Sequence, residues 1–498
     1  MKRAVGILCP IFSIFGQNGI GNFSTDTKYF IDYIKDLGFK YLQILPLGKI
    51  GLGNSPYMSE SGFSGNELYI SPDFLFEQQL ISIEDVEDAV YHGNTYKVDY
   101  DFARENSKKI LEKAYKNITE NWKKKTDSFS KKQSYWLEDF AYYKALLEKF
   151  NVDTFLGFPN DVLSRDKKVE NELKTELKDR IYYYKFVETL FFENWKVIKE
   201  FANKKGIKII GDLPFYLSPT ACEVWTKHEQ FLLDKNFVPK KVAGVPPDYF
   251  NEKGQKWGFA LYNYPVMKKD NYKYLMKKFE YQLELYDVLR IDHFRAFDSY
   301  YTIDNDAVDG TVGSWEQGIG REFLPKLIKK FGVERFIAED LGCSSGKVKE
   351  LVEETGIPPM RVFQFGFDGR DNEHLPHNYN NNMVVYTGTH DNNTCLGWLY
   401  ELDESTRENV LRYIDYKDKY WGMGGRENTS VKKIISTLLS SSAGLVIIPV
   451  QDVLGFGGDT RINIPGVATG NWEYRVETDN QFAVDDEFIV ENITRYFR

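Results

Sequence analysis

Short apolar runs, bounded by charged or turn residues, recur along this chain. Eight of them read as strands, at residues 4–9, 41–45, 208–211, 288–291, 335–338, 361–365, 383–386 and 445–449. Continuous apolar runs of this length are the mark of strands buried on both faces, as in a parallel sheet. Between them the apolar period changes to that of a helix. Val187, Phe191, Trp195, Ile198 and Phe201 fall on one helical face, and Gly206 caps that helix before the third strand. Asp32-Tyr-Ile-Lys-Asp-Leu-Gly38 does the same before the second. Strands alternating with helices suit a (β/α)8 barrel or a doubly wound sheet, and the strand count favours the barrel.

The gaps locate insertions. Strands two and three are far apart, with charged helical stretches around 108–132 and 165–178 and an apolar one at 136–150. The gap after the third strand is also long and carries Gly244-Val-Pro-Pro-Asp-Tyr-Phe250 and Gly254-Gln-Lys-Trp-Gly258. Segments leaving the C-terminal ends of barrel strands build the active site, so these insertions are expected to wall it. The expectation is one catalytic barrel domain over residues 1–498. A helical insertion lies at roughly 60–180, a lid-like one at 214–285, and no β-sandwich follows the barrel.

Composition narrows the class. The 64 Lys plus Arg against 73 Asp plus Glu give a net charge of −9, which argues against nucleic acid or an anionic membrane as partner. Aromatic residues make up 16% of the chain, enough to serve both a core and a ligand with flat apolar faces. Cys9, Cys222, Cys343 and Cys395 lie far apart without metal-ligand spacing and read as reduced thiols of a cytoplasmic protein. Met1-Lys-Arg before an apolar run resembles a short signal peptide. Pro10 interrupts that run and no small-x-small cleavage site follows, so a first barrel strand explains it better. No run reaches the roughly 18 apolar residues of a membrane span.

The chemistry concentrates at strand ends. In Val288-Leu-Arg-Ile-Asp-His-Phe-Arg-Ala-Phe297, Arg290 and Asp292 are two apart and share a face, and a guanidinium there keeps a carboxylate ionised, as a nucleophile requires. Glu339 would end the neighbouring strand. Adjacent strands lie about 4.8 Å apart, which brings two carboxyls within reach of the ~5–5.5 Å separation of a retaining glycosidase. On that reading Asp292 is the nucleophile and Glu339 the acid/base. Asp391, further round the mouth, holds substrate hydroxyls. His293 and His390, two of only six histidines, sit beside the two aspartates, and Asp212 adds a polar group after the third strand.

Arg290-Ile-Asp-His-Phe-Arg295, Ala338-Glu-Asp-Leu-Gly342 and Thr389-His-Asp-Asn392 resemble the catalytic regions of the α-amylase clan. Finer detail resembles the 4-α-glucanotransferases (amylomaltases, glycoside hydrolase family 77). That detail lies in Asn54-Ser-Pro-Tyr57, Phe63-Ser-Gly-Asn66, Gly211-Asp-Leu-Pro214, Ala243-Gly-Val-Pro-Pro-Asp-Tyr-Phe250 and Gly254-Gln-Lys-Trp-Gly258. It continues in Asp452-Val-Leu-Gly455 and Pro465-Gly-Val-Ala-Thr-Gly-Asn-Trp472. The resemblance implies transfer of α-1,4-glucan segments between maltooligosaccharides through a covalent glycosyl-Asp292 intermediate, without metal or other cofactor. It implies Glu339 as acid/base and Asp391 as transition-state stabiliser. Tyr57, Asp212, Arg290, His293 and His390 would contact the sugar at the cleavage point. Tyr249, Phe250, Gln255, Trp257 and Asn463 would form the glucan lid and acceptor side. Ala260, Ala296 and Ile319 stand where the family usually has proline, glycine and proline, which bears on loop geometry and chain-length preference.

Other patterns read as structure. Gly51-Leu-Gly53 and Gly422-Met-Gly-Gly425 read as turns, and Asn305-Asp-Ala-Val-Asp-Gly310 lacks a calcium ligand at Ala307. Pro376 between His374 and His377 argues against a metal pair, and Trp225, Trp315 and Trp398 read as core. Two competing functions share the motifs: a retaining α-glucan hydrolase, using the same three carboxylates, and a non-catalytic glucan-binding protein.

Overall fold

The computed structural model describes residues 2–247, 252–342, 346–369 and 371–498. Along the chain its strands are β1 (Ala4–Leu8), β2 (Tyr41–Gln43), β3 (Lys208–Leu213), β4 (Lys241–Val245), β5 (Gln255–Ala260) and β6 (Val288–Ile291). They continue with β7 (Ser299–Asp304), β8 (Gly313–Gln317), β9 (Phe336–Ala338), β10 (Met360–Val362), β11 (Val384–Tyr386) and β12 (Leu445–Pro449). Eight of these pair in parallel in the order β10-β11-β12-β1-β2-β3-β6-β9. A parallel bridge between Ala338 and Pro359 brings the two end strands together. A ring, not an open sheet, results: the (β/α)8 barrel that the apolar runs predict.

The strands form where they do because both faces are covered. Every residue of β1, β6 and β12 is buried. The helix Lys178–Lys204 buries Phe186 against Tyr115 and Trp122 of the insertion, and Leu190, Phe191, Trp195 and Ile198 are buried further along before the chain turns through Gly206 into β3. The strand β10 is shorter than the run 361–365 that predicts it. It ends at Val362, whose N–H donates to His374 Nδ1, and Phe363–Phe365 then closes a 3-10 turn.

Between β2 and β3 stand the helices Tyr100–Lys116, Glu120–Lys132, Ser134–Phe150 and Lys167–Glu176. The second insertion takes a form that its sequence did not reveal. β4 and β5, from the segment after β3, pair antiparallel with β7 and β8, from the segment after β6, in the order β5-β4-β7-β8. Trp225 and Trp398 are buried as expected, but Trp315 is not core: it is 43% exposed on β8, with the Arg295 guanidinium over its ring. Cys9, Cys222 and Cys395 are buried free thiols, and Cys343 lies outside the described residues. Among the described residues no helix is long and apolar enough to cross a membrane.

Barrel packing leaves no room at Gly211. A Cβ there would lie 2.2 Å from the Tyr286 ring, whose hydroxyl is itself fixed by the Leu47 N–H. Gly211→Ala should therefore destabilise the barrel by about 1–3 kcal/mol, read as a lower urea midpoint at unchanged slope.

Candidate active site

Register assembles the site. Asp212 on β3 lies directly beside Arg290 on β6, and Ile291 beside Ala338 on β9, so Asp292 and Glu339 leave the barrel side by side. Arg290 Nη1 donates to Asp212 Oδ1 and Oδ2, both at 2.7 Å, and to Asp292 Oδ1 at 3.0 Å. Its Nε reaches Met360 Sδ on β10 at 3.3 Å. Burial opposes the charge on Arg290, but the two aspartates outweigh it and hold the guanidinium ionised.

Past β6 the chain turns sharply at His293, a left-handed residue at φ 48°. That turn aims the His293 N–H at Glu339 Oε2, 2.6 Å away, and the Leu341 N–H donates to Glu339 Oε1 at 3.2 Å. The Glu339 carboxyl thus rests on the peptide that follows Asp292. Burial raises the pKa of both carboxyls and Arg290 opposes the rise at both. Glu339 also feels the charge of Asp292 and ends the higher of the two. Two carboxyls in one site titrate as a pair, and the one facing the other's charge without a cation hydrogen bond keeps its proton longer.

Asp391, in the turn after β11, is treated differently. Burial pushes its pKa up, yet His390 and the Asn463 amide outweigh that and hold it well below the usual carboxylate range. Asn463 Nδ2 donates to Asp391 Oδ1 at 2.6 Å, and His390 Nε2 stands 3.4 Å from Asp391 Oδ2. Tyr57, on the loop after β2, closes the ring of polar contacts: its hydroxyl donates to Asp212 Oδ2 at 2.9 Å and lies 2.9 Å from His390 Nε2. Exposure runs outward in steps. The Asp212 side chain is fully buried, that of Asp292 is 30% exposed and that of Asp391 46%, so an incoming ligand meets the last two.

On the other side of the cleft, Trp257 of β5 meets the His293 ring edge-on at 4.7 Å, and its indole N–H donates to Gln255 Oε1 at 3.0 Å. Burial and the nearby Arg295 push the His293 pKa down to about 3, so its imidazole is neutral. Asn463 joins Asp391 and not the Gln255–Trp257 pair. Tyr249 and Phe250 lie outside the described residues. Among the described residues no cluster of three or more His, Cys, Asp or Glu has metal-binding geometry.

This chain has known counterparts. Residues 9–480 match the family described as 4-alpha-glucanotransferase. The chain belongs to the 4-alpha-glucanotransferase family. A 4-alpha-glucanotransferase of Aquifex aeolicus is 36% identical over 498 residues, covering 100% of this chain and 99% of its own. One from Thermus thermophilus is 36% identical, with 96% of this chain and 95% of its own covered. Among solved structures, the amylomaltase of Streptococcus agalactiae, in complex with acarbose, superposes with a TM-score of 0.94 at 32% identity, over 100% of both chains.

Several residues that support this transferase site went unread in the sequence. Arg461 Nη2 donates to the Asp391 carbonyl at 2.7 Å, and its Nε to the Asn463 carbonyl at 2.8 Å, so it fixes both. Its position two residues before Asn463 was the available signal. Trp472 packs against Tyr57 and His390, with ring centroids 5.9 and 6.0 Å away. Lys278 is buried in the helix Lys273–Leu285 and holds the Pro214 carbonyl at 2.7 Å and the Phe215 carbonyl at 3.2 Å, in the segment that follows Asp212. A lysine on the apolar face of that helix, one position before Phe279, marked it.

The Arg290 bridge sets a stability prediction. Arg290→Gln leaves two carboxylates facing each other with no cation, one of them fully buried. The loss should be about 3–5 kcal/mol at neutral pH, measured by chemical denaturation of the folded variant against wild type.

Proposed function

We propose that this transferase moves α-1,4-glucan segments by a retaining double displacement on Asp292, with Glu339 as acid/base. The observation that carries the reading is the placement of these two carboxyls at the ends of adjacent strands, where burial raises both and the charge of Asp292 raises Glu339 further. In the first step Asp292 Oδ attacks the anomeric carbon. The bond from that carbon to the leaving 4-oxygen breaks, and the Glu339 proton passes to that oxygen. The shortened chain departs. An acceptor 4-hydroxyl then gives its proton to Glu339 while its oxygen attacks the same carbon and breaks the ester to Asp292.

The surrounding residues have work in both steps. Asp391, kept ionised by His390 and Asn463, binds sugar hydroxyls and favours the charge that develops on the ring. Tyr57, Asp212 and Arg290 form the floor under the reacting sugar, and His293 and His390 donate to it from either side. Gln255 and Trp257 receive the acceptor, and Trp257 stacks on a glucose face. Tyr249 and Phe250 belong to the same cover by family resemblance. Transfer prevails over hydrolysis because an oriented acceptor competes with water at about 55 M only where water is held off.

Maltotriose alone is the test. It should become glucose plus a ladder of longer α-1,4 chains, with total reducing ends almost constant. A steady rise in reducing ends with no product longer than the donor would establish a hydrolase instead. Asp292→Asn keeps the shape and removes the attacking charge, so turnover should fall by several orders of magnitude.

The pH profile tests Glu339. Its raised pKa keeps the proton in place through neutral pH, and loss of that proton at higher pH removes the acid needed for the first step. Asp292 must be ionised, and burial raises its pKa too, so activity should fall on the acid side above the ordinary aspartate range. The profile should be a bell. Glu339→Gln should abolish turnover of maltooligosaccharides, and an active Glu339→Gln enzyme that keeps the alkaline limb would contradict the assignment.

A further inference from the structure

On the catalytic face of the barrel, away from the cleft, lies a group of exposed side chains that the reaction does not use. Tyr400 is 60% exposed, Tyr420 71% and Met423 48%. Isolated exposed apolar side chains are ordinary, but Tyr400 packs on a half-buried ring, Trp421, and Tyr420 and Met423 flank that tryptophan in the chain. Tyr400 leans on Trp421 with centroids 4.8 Å apart, and the Arg407 guanidinium covers Trp421 at 4.8 Å. The Tyr400 hydroxyl donates to the Gly422 carbonyl at 2.9 Å, and Ser430 Oγ donates to the Trp421 carbonyl at 2.6 Å. Tyr400 is therefore braced on one side and open on the other. A ring held in place and facing water is organised for a ligand, since little ordering entropy remains to be lost on binding.

Topology puts this group on the same face as the carboxylates. The helix Thr429–Ser440 runs from the catalytic end of the barrel back toward β12, so the segment just before it lies at that end. The Gly425 N–H donates to the Gly455 carbonyl, just past the helix that follows β12. The helix that carries Tyr400, Cys395–Glu401, starts four residues after Asp391 and is about 10 Å long at 1.5 Å per residue. Its last residue, Glu401, accepts from Asn393 Nδ2 at 2.7 Å. The rings thus stand at the same end of the barrel as Asp391, on the segment that follows it.

We infer that Tyr400, braced by Trp421, and the exposed Tyr420 beside that tryptophan in the chain form a surface platform that binds a distal stretch of α-1,4-glucan while another part of the chain occupies the cleft. The inference rests on the glucan-transfer reading. It takes the same ligand chemistry to a second place: a polymer of sugars whose apolar faces stack on tyrosine rings and whose hydroxyls meet the polar rim. Short substrates end before the platform, and long ones reach it. Tethering a long chain at two points raises its effective concentration at the cleft without any change in the chemical steps.

The experiment compares wild type with Tyr400→Ala/Tyr420→Ser, and with Trp421→Ala as a variant that removes the brace. Each is checked for an unchanged unfolding transition, then run in native gels containing glycogen and assayed on maltotriose and on long linear amylose. The double variant should lose retardation by glycogen and show a roughly three- to tenfold higher KM for amylose, the size of one or two lost ring contacts. Its kcat and KM for maltotriose should stay at wild-type values. Trp421→Ala should give a smaller shift of the same kind. Unchanged retardation and amylose KM in a folded double variant would overturn the platform. A matching loss on maltotriose would overturn it as well, by assigning these rings to the cleft. Wild-type protein that lengthens no maltotriose would instead strike at the transfer reading, so the two failures are distinct.

Discussion

One buried cation governs this architecture. Arg290 sits inside the barrel with its guanidinium between Asp212 and Asp292, and neither its charge nor that of Asp212 would be tolerable there alone. The arrangement follows from two periodicities. Parallel register sets Asp212 beside Arg290, and the two-residue repeat of a strand sets Asp292 on the same face. Contacts then propagate outward: Asp212 takes the Tyr57 hydroxyl, Tyr57 meets His390, and His390 stands against Asp391. Side chains from the loop after β2, from β3, from β6 and from the turn after β11 are thereby linked in one network. A site that must hold reacting atoms to fractions of an ångström needs such support from rigid strands.

The same network separates the three carboxylates chemically. They are alike as free side chains and unlike here because their neighbours differ. Asp292 has the guanidinium, Glu339 has two backbone N–H donors together with the charge of Asp292, and Asp391 has a histidine and an amide. Asp292 also faces a negative neighbour, Asp212, but accepts directly from Arg290, whereas Glu339 is buried beside Asp292 without a cation hydrogen bond, so Glu339 is the group that retains a proton. In the proposed mechanism that asymmetry is also self-reversing. Ester formation at Asp292 removes its charge, which releases Glu339 to act as base for the acceptor.

How much of this was legible in the sequence depends on the kind of contact. All eight barrel strands stood out, because strands buried on both faces leave continuous apolar runs. The carboxylates and their Arg and His neighbours were legible because each lies within a few residues of such a run. The sheet β5-β4-β7-β8 was not. Its strands come from two segments separated by two helices and by β6, and β5 is only half-buried and β8 mostly exposed, so both show little apolar pattern. Trp315 was misread for the same reason, since a tryptophan in an unrecognised strand has no assigned face. Arg461 and Lys278 escaped because they act through backbone carbonyls, and a carbonyl leaves no trace in residue identity.

That unforeseen sheet ties the cover of the site to its floor. β4 and β5 follow the strand bearing Asp212, β7 follows the strand bearing Asp292, and β4 pairs with both β5 and β7. Trp257 reaches His293 from this sheet, and His293 is the residue whose N–H holds Glu339. A sugar stacking on Trp257 would therefore press on the element that positions the acid/base, and water entering there would meet the same wall. In the proposed mechanism acceptor binding and proton placement share one mechanical support, which is what a transferase needs if the acceptor, and not water, is to find Glu339 ready.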